Sequence, residues 1–175
     1  INSLTDKVII EKLVEASQVG VKIEMIVRGI CCMIPGIKGY TENIKVISIV
    51  GRFLEHSRIY AFGVGDDTEI YISSADMMTR NTRRRVEVAA PIYDPRLKQR
   101  ILKMINVMKQ DNIQAQVLLA NGEYTTKKKR EDNMNSQIHF LNEAKRLAPK
   151  EKTQKQNLFY QVKGIFFGKK KLRKK

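Results

Sequence analysis

The period of the apolar pattern changes abruptly within the first 27 residues, and this change limits the folds open to the chain. Between residues 6 and 18 apolar side chains recur at helical spacing, whereas residues 21–27 alternate as a strand does. Gly20 separates the two segments and can end a helix. A helix followed at once by a strand is typical of α/β proteins. We therefore expect an α/β domain with a mixed β-sheet flanked by helices.

The same two periods continue along the chain and predict its other elements. Gly51 is expected to permit a tight turn before the strand at 57–62. Further strands are predicted at residues 44–50, 57–62, 69–73, 83–90 and 112–120, and further helices at 94–110 and from Asn133 or Ser136 onward.

Charge separates the chain into a body and a tail. The formal net charge is +15, of which residues 145–175 carry +11, with 12 basic residues and one acidic residue. We therefore predict a folded domain over residues 1–148 and a basic tail over residues 149–175. A basic tail attracts nucleic acid, anionic lipid or polyphosphate. It could act as a mobile tether for such polyanions, or equally form a solvated basic helix.

Cysteine usage and hydropathy indicate a reducing, cytoplasmic setting. The two cysteines, Cys31 and Cys32, are adjacent, and neighbours in sequence rarely form a disulfide. No apolar run has the length of a membrane span, and no signal peptide opens the chain. Because the first residue is Ile1, we expect the chain to be part of a longer intracellular protein.

The residues around His56 suggest a phosphate site. His56 stands between Arg52 and Arg58, directly before a predicted strand. Guanidinium and imidazole groups make a poor apolar core, but their donors suit phosphate oxygens. The alternative is a half-exposed histidine at a strand end, surrounded by unrelated surface arginines.

Two other predicted strand ends carry polar or charged side chains that could also bind phosphate. Arg28 follows a predicted strand, at the edge where ligands bind in open α/β sheets. After a later strand come Ser74, Asp76 and Asn81, whose spacing from His56 is similar to that of a phospholipase D half-site. The alternative for this loop is a turn that satisfies its own backbone. A sheet can bring the three groups together, but the sequence does not establish that it does.

Uninterrupted blocks across residues 1–120 closely resemble the C-terminal part of bacterial polyphosphate kinase. These blocks are residues 16–18 with 21–23, 26–32, 49–58, 73–81, 83–89 and 94–98. The resemblance implies the second of two phospholipase-D-like domains in an enzyme that reversibly transfers the terminal phosphate of ATP to polyphosphate. It also implies Mg²⁺ as a cofactor, and a phosphohistidine carried on the preceding domain, so the isolated chain is expected to be inactive.

The resemblance also assigns individual residues. His56 matches the second active-site histidine of the family, and Arg28 matches an arginine that contacts ATP phosphates. Arg52 is a further candidate phosphate ligand, and Ser74 and Asn81 are candidates for a supporting loop. His139 lies outside the matching blocks and is expected on the surface of the last helix. The sequence shows no carboxylate cluster for a metal, which fits Mg²⁺ arriving on the nucleotide.

The expected partners are ATP or ADP, polyphosphate and the upstream domains of the same enzyme. The intact enzyme is expected to form homo-oligomers and to contact the surface of the inner membrane through the tail. Three alternatives stay open: a nucleic-acid- or polyanion-binding module without catalysis, a phospholipase-like hydrolase, and a scaffold whose partner performs the chemistry. Arg58, in place of the lysine of a phospholipase motif, argues against the hydrolase.

Overall fold

The computed structural model describes residues 1–127 and 132–148. Among the described residues, those up to 140 form one compact unit, and residues 141–148 belong to a second. The elements are α1 (Lys7–Gln18), β1 (Ile23–Ile26), β2 (Ile44–Ile49), β3 (Ile59–Phe62), β4 (Glu69–Ser73), α2 (Thr79–Arg84), β5 (Ala89–Pro91), α3 (Pro95–Gln110), β6 (Ala115–Leu118), β7 (Tyr124–Thr126) and α4 (Ser136–Leu147), with a 3₁₀ turn at Gly65–Asp67. The predicted tail, 149–175, lies outside the described residues. Among the described helices, none combines the length and apolar composition needed to cross a membrane.

The first sheet has the order β1-β2-β6-β7 and is mixed. β1 runs parallel to β2, whereas β6 pairs antiparallel with both β2 and β7. The two faces of β2 contribute to different hydrophobic clusters, because alternate side chains of a strand point to opposite faces of the sheet. Ile44 and Val46 pack in a cluster with Leu13 of α1, and Ile49 packs in another with Met108 of α3. Helices therefore cover both faces of this sheet.

The second sheet is antiparallel, with the order β3-β4-β5. Gly63 has φ +88° in the connection from β3 to β4, a conformation that favours glycine. The register pairs Ile59 with Ile72 and Phe62 with Glu69. This is the hairpin predicted from the sequence.

Two long helices begin at the capping residues that the sequence indicates. The Asp6 carboxylate accepts a hydrogen bond from the Ile9 backbone N–H at 3.1 Å. The Asp94 carboxylate accepts one from the Arg96 backbone N–H at 2.8 Å, and Pro95 occupies the first turn of α3. The predicted helices over 6–18 and 94–110 are confirmed, and the last helix begins at Ser136.

The predicted strand over residues 83–90 is wrong. Its first residues belong to the helix α2, and only Ala89 and Ala90 belong to β5. Val86 is fully exposed rather than inward, so the apparent alternation there reflects no buried face. The Thr82 hydroxyl donates to the Asp6 carboxylate at 3.0 Å, which ties α2 to the start of α1. Arginine is also a good helix former, and three of them follow at 83–85.

The predicted strand over residues 112–120 is shorter than expected, because the buried Asp111 organises a turn before it. One carboxylate oxygen of Asp111 accepts from the backbone N–H groups of Ile113 and Gln114, at 3.0 and 2.8 Å. The other accepts from the N–H and the hydroxyl of Ser136, both at 2.7 Å. β6 therefore starts only at Ala115, and β7, which was not predicted, pairs beside it.

Candidate functional site

The structure brings together three of the predicted strand ends. Arg28 follows β1, Arg58 directly precedes β3, and Asp76 follows β4. A short extended segment at the start of the chain, Asn2 and Ser3, lies between them and contacts both Arg28 and Asp76. We call this group, together with His56, the strand-end cluster.

A nearly buried ion pair anchors the cluster. Arg58 Nη2 donates to Asp76 Oδ2 at 2.8 Å, and the two side chains are only 12% and 4% exposed. Asp76 Oδ1 accepts from the backbone N–H groups of Asn2 at 2.6 Å and Ser3 at 3.3 Å. Burial alone would raise the pKa of Asp76, but the hydrogen bonds from Arg58, Asn2 and Ser3 outweigh it and hold that pKa below its usual value. Asp76 is therefore ionised and fixes the Arg58 guanidinium in place.

His56 lies against the anchored guanidinium. Arg58 Nη1 is 3.1 Å from His56 Nδ1, and Arg58 Nη2 is 3.2 Å from His56 Nε2. The two matched distances place both Nη atoms of the guanidinium against the ring nitrogens of the imidazole. Arg58 Nη1 also donates to the backbone carbonyl of His56 at 3.1 Å. Arg58 thus holds the imidazole in place, and the side chain stays exposed, where a ligand can reach it.

Arg28 is oriented by two hydrogen bonds. Its Nε donates to Asn2 Oδ1 at 2.9 Å, and its Nη2 donates to the Ser57 carbonyl at 2.5 Å. Burial lowers the pKa of this guanidinium, but from so high a value that it stays protonated. Among the described residues, no protein atom accepts from its Nη1. Arg28 therefore presents a fixed charge with unused donors beside the segment that carries His56.

The loop residues Ser74 and Asn81 converge on a carboxylate that the sequence did not single out. The Ser74 hydroxyl donates to one oxygen of Glu87, and Asn81 Nδ2 donates to the other at 2.5 Å. These two hydrogen bonds hold the pKa of Glu87 below its usual value. Glu87 also interacts electrostatically with Arg58. Reading 83–90 as a strand hid this role, because it placed Glu87 merely on an outward face.

Arg52 is not brought into the strand-end cluster. Its guanidinium lies over the ring of Phe53, 5.4 Å from the ring centre, and its side chain is exposed. Gln137 holds the neighbouring backbone by accepting from the Phe53 N–H and donating to the Phe53 carbonyl, both at 2.9 Å. It also donates to Glu55 at 2.8 Å, directly before His56.

Gly51 serves close approach rather than the tight turn expected from the sequence. A Cβ at Gly51 would lie 2.6 Å from Gln137 Oε1, the atom that holds the Phe53 N–H. The sequence correctly singles out a glycine at this position. The reason for it is the close contact with Gln137, 86 positions further along the chain. No local sequence pattern marks Gln137, which resembles any other polar residue of the last helix.

The described residues offer no cluster of metal ligands. Across residues 1–127 and 132–148, no group of three or more histidine, cysteine, aspartate or glutamate side chains could hold a metal ion. His139 is partly buried, with its ring edge-on to Phe140 at 5.6 Å between ring centres. It lies on α4, and its ring contact is with Phe140 rather than with a residue of the strand-end cluster.

Comparison with known proteins identifies the family. A family model described as polyphosphate kinase C-terminal domain 2 matches residues 1–137. The polyphosphate kinase of Staphylococcus epidermidis is 52% identical over 143 residues, which are 82% of this chain and 20% of that protein. That of Bacillus cereus is 52% identical over 123 residues, 70% of this chain and 18% of that protein.

A solved structure agrees with the sequence comparison. The crystal structure of the polyphosphate kinase from Porphyromonas gingivalis matches with a TM-score of 0.78 at 37% identity, covering 85% of this chain and 23% of that one. The predicted mixed α/β, phospholipase-D-like fold is thereby confirmed. This chain spans about a fifth of the length of the relatives it matches. It belongs to the polyphosphate kinase family and corresponds to the family's C-terminal domain 2.

Proposed function

We propose that this domain contributes the strand-end cluster to a site that reversibly transfers the terminal phosphate of ATP to polyphosphate. The observation that carries the proposal is the joint placement of Arg28 and His56. Arg28 donates to the carbonyl of Ser57, the residue directly after His56, and keeps other donors unused. His56 lies in contact with a guanidinium that is itself fixed by Asp76.

The arrangement suits phosphoryl transfer because that reaction asks mainly for positioning and positive charge. Arg28 binds non-bridging oxygens of the nucleotide phosphates through its unused donors. The exposed His56 imidazole donates a hydrogen bond to an oxygen of the moving phosphate, or exchanges a proton with it. Arg58 is already paired with Asp76, so its part in this arrangement is to hold His56 in place rather than to add net charge.

The covalent steps use a histidine of the preceding domain, as the family resemblance implies. The bond between the γ-phosphorus and the bridging oxygen of ATP breaks as a phosphorus–nitrogen bond forms, and ADP leaves. The phosphorus–nitrogen bond then breaks as the terminal oxygen of polyphosphate bonds to the phosphorus. Arg28 and His56 stabilise the phosphate in both steps without themselves being phosphorylated.

Mg²⁺, when bound to the nucleotide, neutralises part of the phosphate charge and helps to orient the chain of phosphates. The donor set of the cluster fits this arrangement, since its guanidinium and imidazole groups favour phosphate oxygens. Its central carboxylate, Asp76, is already engaged by Arg58, Asn2 and Ser3. We therefore propose that the metal arrives with ATP rather than on ligands of this domain.

Polyanion binding without catalysis is the second candidate function. The observation that favours it is a run of exposed arginines on and after α2, namely Arg80, Arg83, Arg84 and Arg85. Titration with ATP and with single-stranded nucleic acid separates the two functions. A phosphate-transfer domain prefers nucleotide or polyphosphate, whereas a nucleic-acid module gains affinity from bases that stack on it.

The domain boundaries, the tail, the cellular location and the oligomeric state are further parts of this proposal. Residues 1–148 form the folded domain, and residues 149–175 form a tail that binds polyphosphate or the inner membrane surface. We further propose a cytoplasmic location, which agrees with the free thiols of Cys31 and Cys32, and homo-oligomerisation of the intact enzyme.

Substitution in the intact enzyme tests the proposal. We expect His56→Ala and Arg28→Ala each to lower turnover about a hundredfold, because losing one contact to a transferring phosphate costs about 3 kcal/mol of barrier. Arg100→Ala is the matched control, since Arg100 is an exposed arginine of α3. Arg52→Ala shows whether Arg52 joins the site when substrate binds. Near-normal turnover of His56→Ala and Arg28→Ala at unchanged melting temperature would overturn the assignment.

A further inference from the structure

An apolar groove of about 540 Å³ separates β1 from β3 within the first unit. Its two long walls are strand edges, Ile23–Ile26 on one side and Ile59–Phe62 on the other. Leu13 and Ala16 of α1 also line it, as do Ile105 and Met108 of α3. The groove is therefore bounded by two strand edges and by apolar side chains of two helices.

The first residues of the chain enter this groove as a parallel strand beside the end of β1. The Ile1 amine donates to the Ile26 carbonyl at 3.0 Å, and the Arg28 N–H donates to the Ile1 carbonyl at 3.2 Å. That pattern places Ile1 opposite Val27 in a parallel ladder. Further along, the Leu4 N–H donates to the Ile30 carbonyl at 2.8 Å.

β1 has backbone donors on the groove side. The N–H groups of Ile23 and Val27 donate to the β2 side, to Asn43 and Ile47, both at 2.9 Å. Because N–H groups alternate along a strand, those of Glu24 and Ile26 point into the groove. Across the groove, the one described strand partner of β3 is β4. Two strand edges thus face each other with space between them.

We propose that this groove holds a β-strand formed by the residues that directly precede this domain in full-length family members. The matched family model describes a C-terminal domain, and the relatives are about five times longer than their matching region. The ladder of Ile1 sets the register of the added strand. Its residue two positions before Ile1 lies opposite Met25, donates to the Glu24 carbonyl and accepts from the Ile26 N–H. The strand joins both sheets of the unit into one.

The walls also define the chemistry of the strand. A strand rises about 3.3 Å per residue, so about four residues run the length of β1. Both helices that line the groove present apolar side chains to it, so the strand is covered on both faces. Such strands are continuous apolar runs rich in valine and isoleucine, rather than alternating sequences. An amphipathic segment or a polar linker does not fit.

Amide hydrogen exchange on three versions of the chain tests this proposal. The first is residues 1–175 alone. The second adds, before Ile1, the eight residues that precede the matching region in the Staphylococcus epidermidis relative. The third is the same extension with proline at the second and fourth positions before Ile1, which removes the N–H groups that the ladder needs.

We expect the extension to slow exchange at Glu24 and Ile26 at least about tenfold relative to the proline version. Exchange at Met25, which pairs with β2, should stay the same in all three versions. Equal rates at Glu24 and Ile26 in the extended and proline versions would overturn the proposal, as would loss of protection at Met25 on extension. Protection of Glu24 and Ile26 in residues 1–175 alone, together with a dimer by light scattering, would assign the groove to a second copy and overturn it as well.

Discussion

Replacing Asp76 by asparagine tests whether the strand-end cluster is anchored by charge. The asparagine side chain has nearly the same shape, and its carbonyl oxygen can still accept from the backbone of Asn2 and Ser3. Its amide group, however, faces Arg58 Nη2 with a donor where the carboxylate offered an acceptor. The substitution therefore removes one charge-assisted bond and leaves the Arg58 charge without its partner.

The structure sets the size of this effect. Breaking a buried ion pair costs about 3–5 kcal/mol, because it leaves an uncompensated charge. Arg58 retains 12% exposure and a bond to the His56 carbonyl, so we expect the lower end, about 3 kcal/mol. For a chain of this size, that corresponds to a melting temperature lower by about 6–12 °C.

The unfolding free energy lost in Asp76→Asn depends on pH in a defined direction. The pKa of Asp76 is lowered in the folded state, so its stabilisation is complete above the unfolded pKa of about 3.9 and is lost as pH falls through the folded pKa. The difference in unfolding free energy between parent and Asp76→Asn should therefore be largest near pH 7. It should shrink as the pH falls below about 4. Urea unfolding at pH 7 and at pH 3 measures it.

A matched control distinguishes the effect of breaking a buried ion pair from that of breaking an exposed one. Glu24 pairs with Lys109 across an exposed surface, where both side chains are at least 36% exposed. Glu24→Gln should cost less than about 1 kcal/mol. If Asp76→Asn costs no more than Glu24→Gln at pH 7, or if its cost is the same at pH 3, the anchoring role of Asp76 is refuted.

Two further outcomes concern the isolated chain and the tail. Incubating residues 1–175 with γ-labelled ATP should leave no acid-labile phosphate on the chain, because we propose that the phosphorylated histidine belongs to another domain; robust labelling would contradict this. Deleting residues 149–175 from the intact enzyme should leave turnover on short primers unchanged. It should weaken binding to long polyphosphate, most at low salt, as counterion release requires. Binding that responds to neither deletion nor salt would exclude the tether.

The helices and the central strands could be predicted because their signals are local. Asp6 and Asp94 mark helix starts by side-chain chemistry that acts within three residues, and the alternation at the start of β2 follows from the burial of Ile44 and Val46 on one face of the sheet. The segment at 83–90 misled the prediction because Val86 and Val88 alternate without a buried face. Alternation shows where a strand could form, but only pairing with β4 determines where β5 begins.

The candidate site was predictable as a set of strand ends, but its internal contacts were not. Family resemblance pointed to Arg28 and His56, and the position of Arg28 after β1 agrees with the general rule for α/β sheets. The contacts of Asp76 with Asn2 and of Gly51 with Gln137 join residues 74 and 86 positions apart. Such contacts depend on the tertiary fold, so no local pattern could have revealed them. Arg52 illustrates the converse, since its closeness to His56 in sequence did not place it in the cluster.

A double-mutant cycle in the intact enzyme tests most directly whether Arg28 and His56 act on the same phosphate. The measured quantity is kcat/KM for ATP in the parent, Arg28→Ala, His56→Ala and the double variant, all checked for equal melting temperature. Independent effects of about a hundredfold each would multiply to about ten-thousandfold. We expect the double variant to lose no more than about a thousandfold, a coupling of at least about 1.4 kcal/mol, because residues that act as a unit are not additive. Full multiplication of the two effects, or a near-normal single variant, would contradict a shared phosphate site.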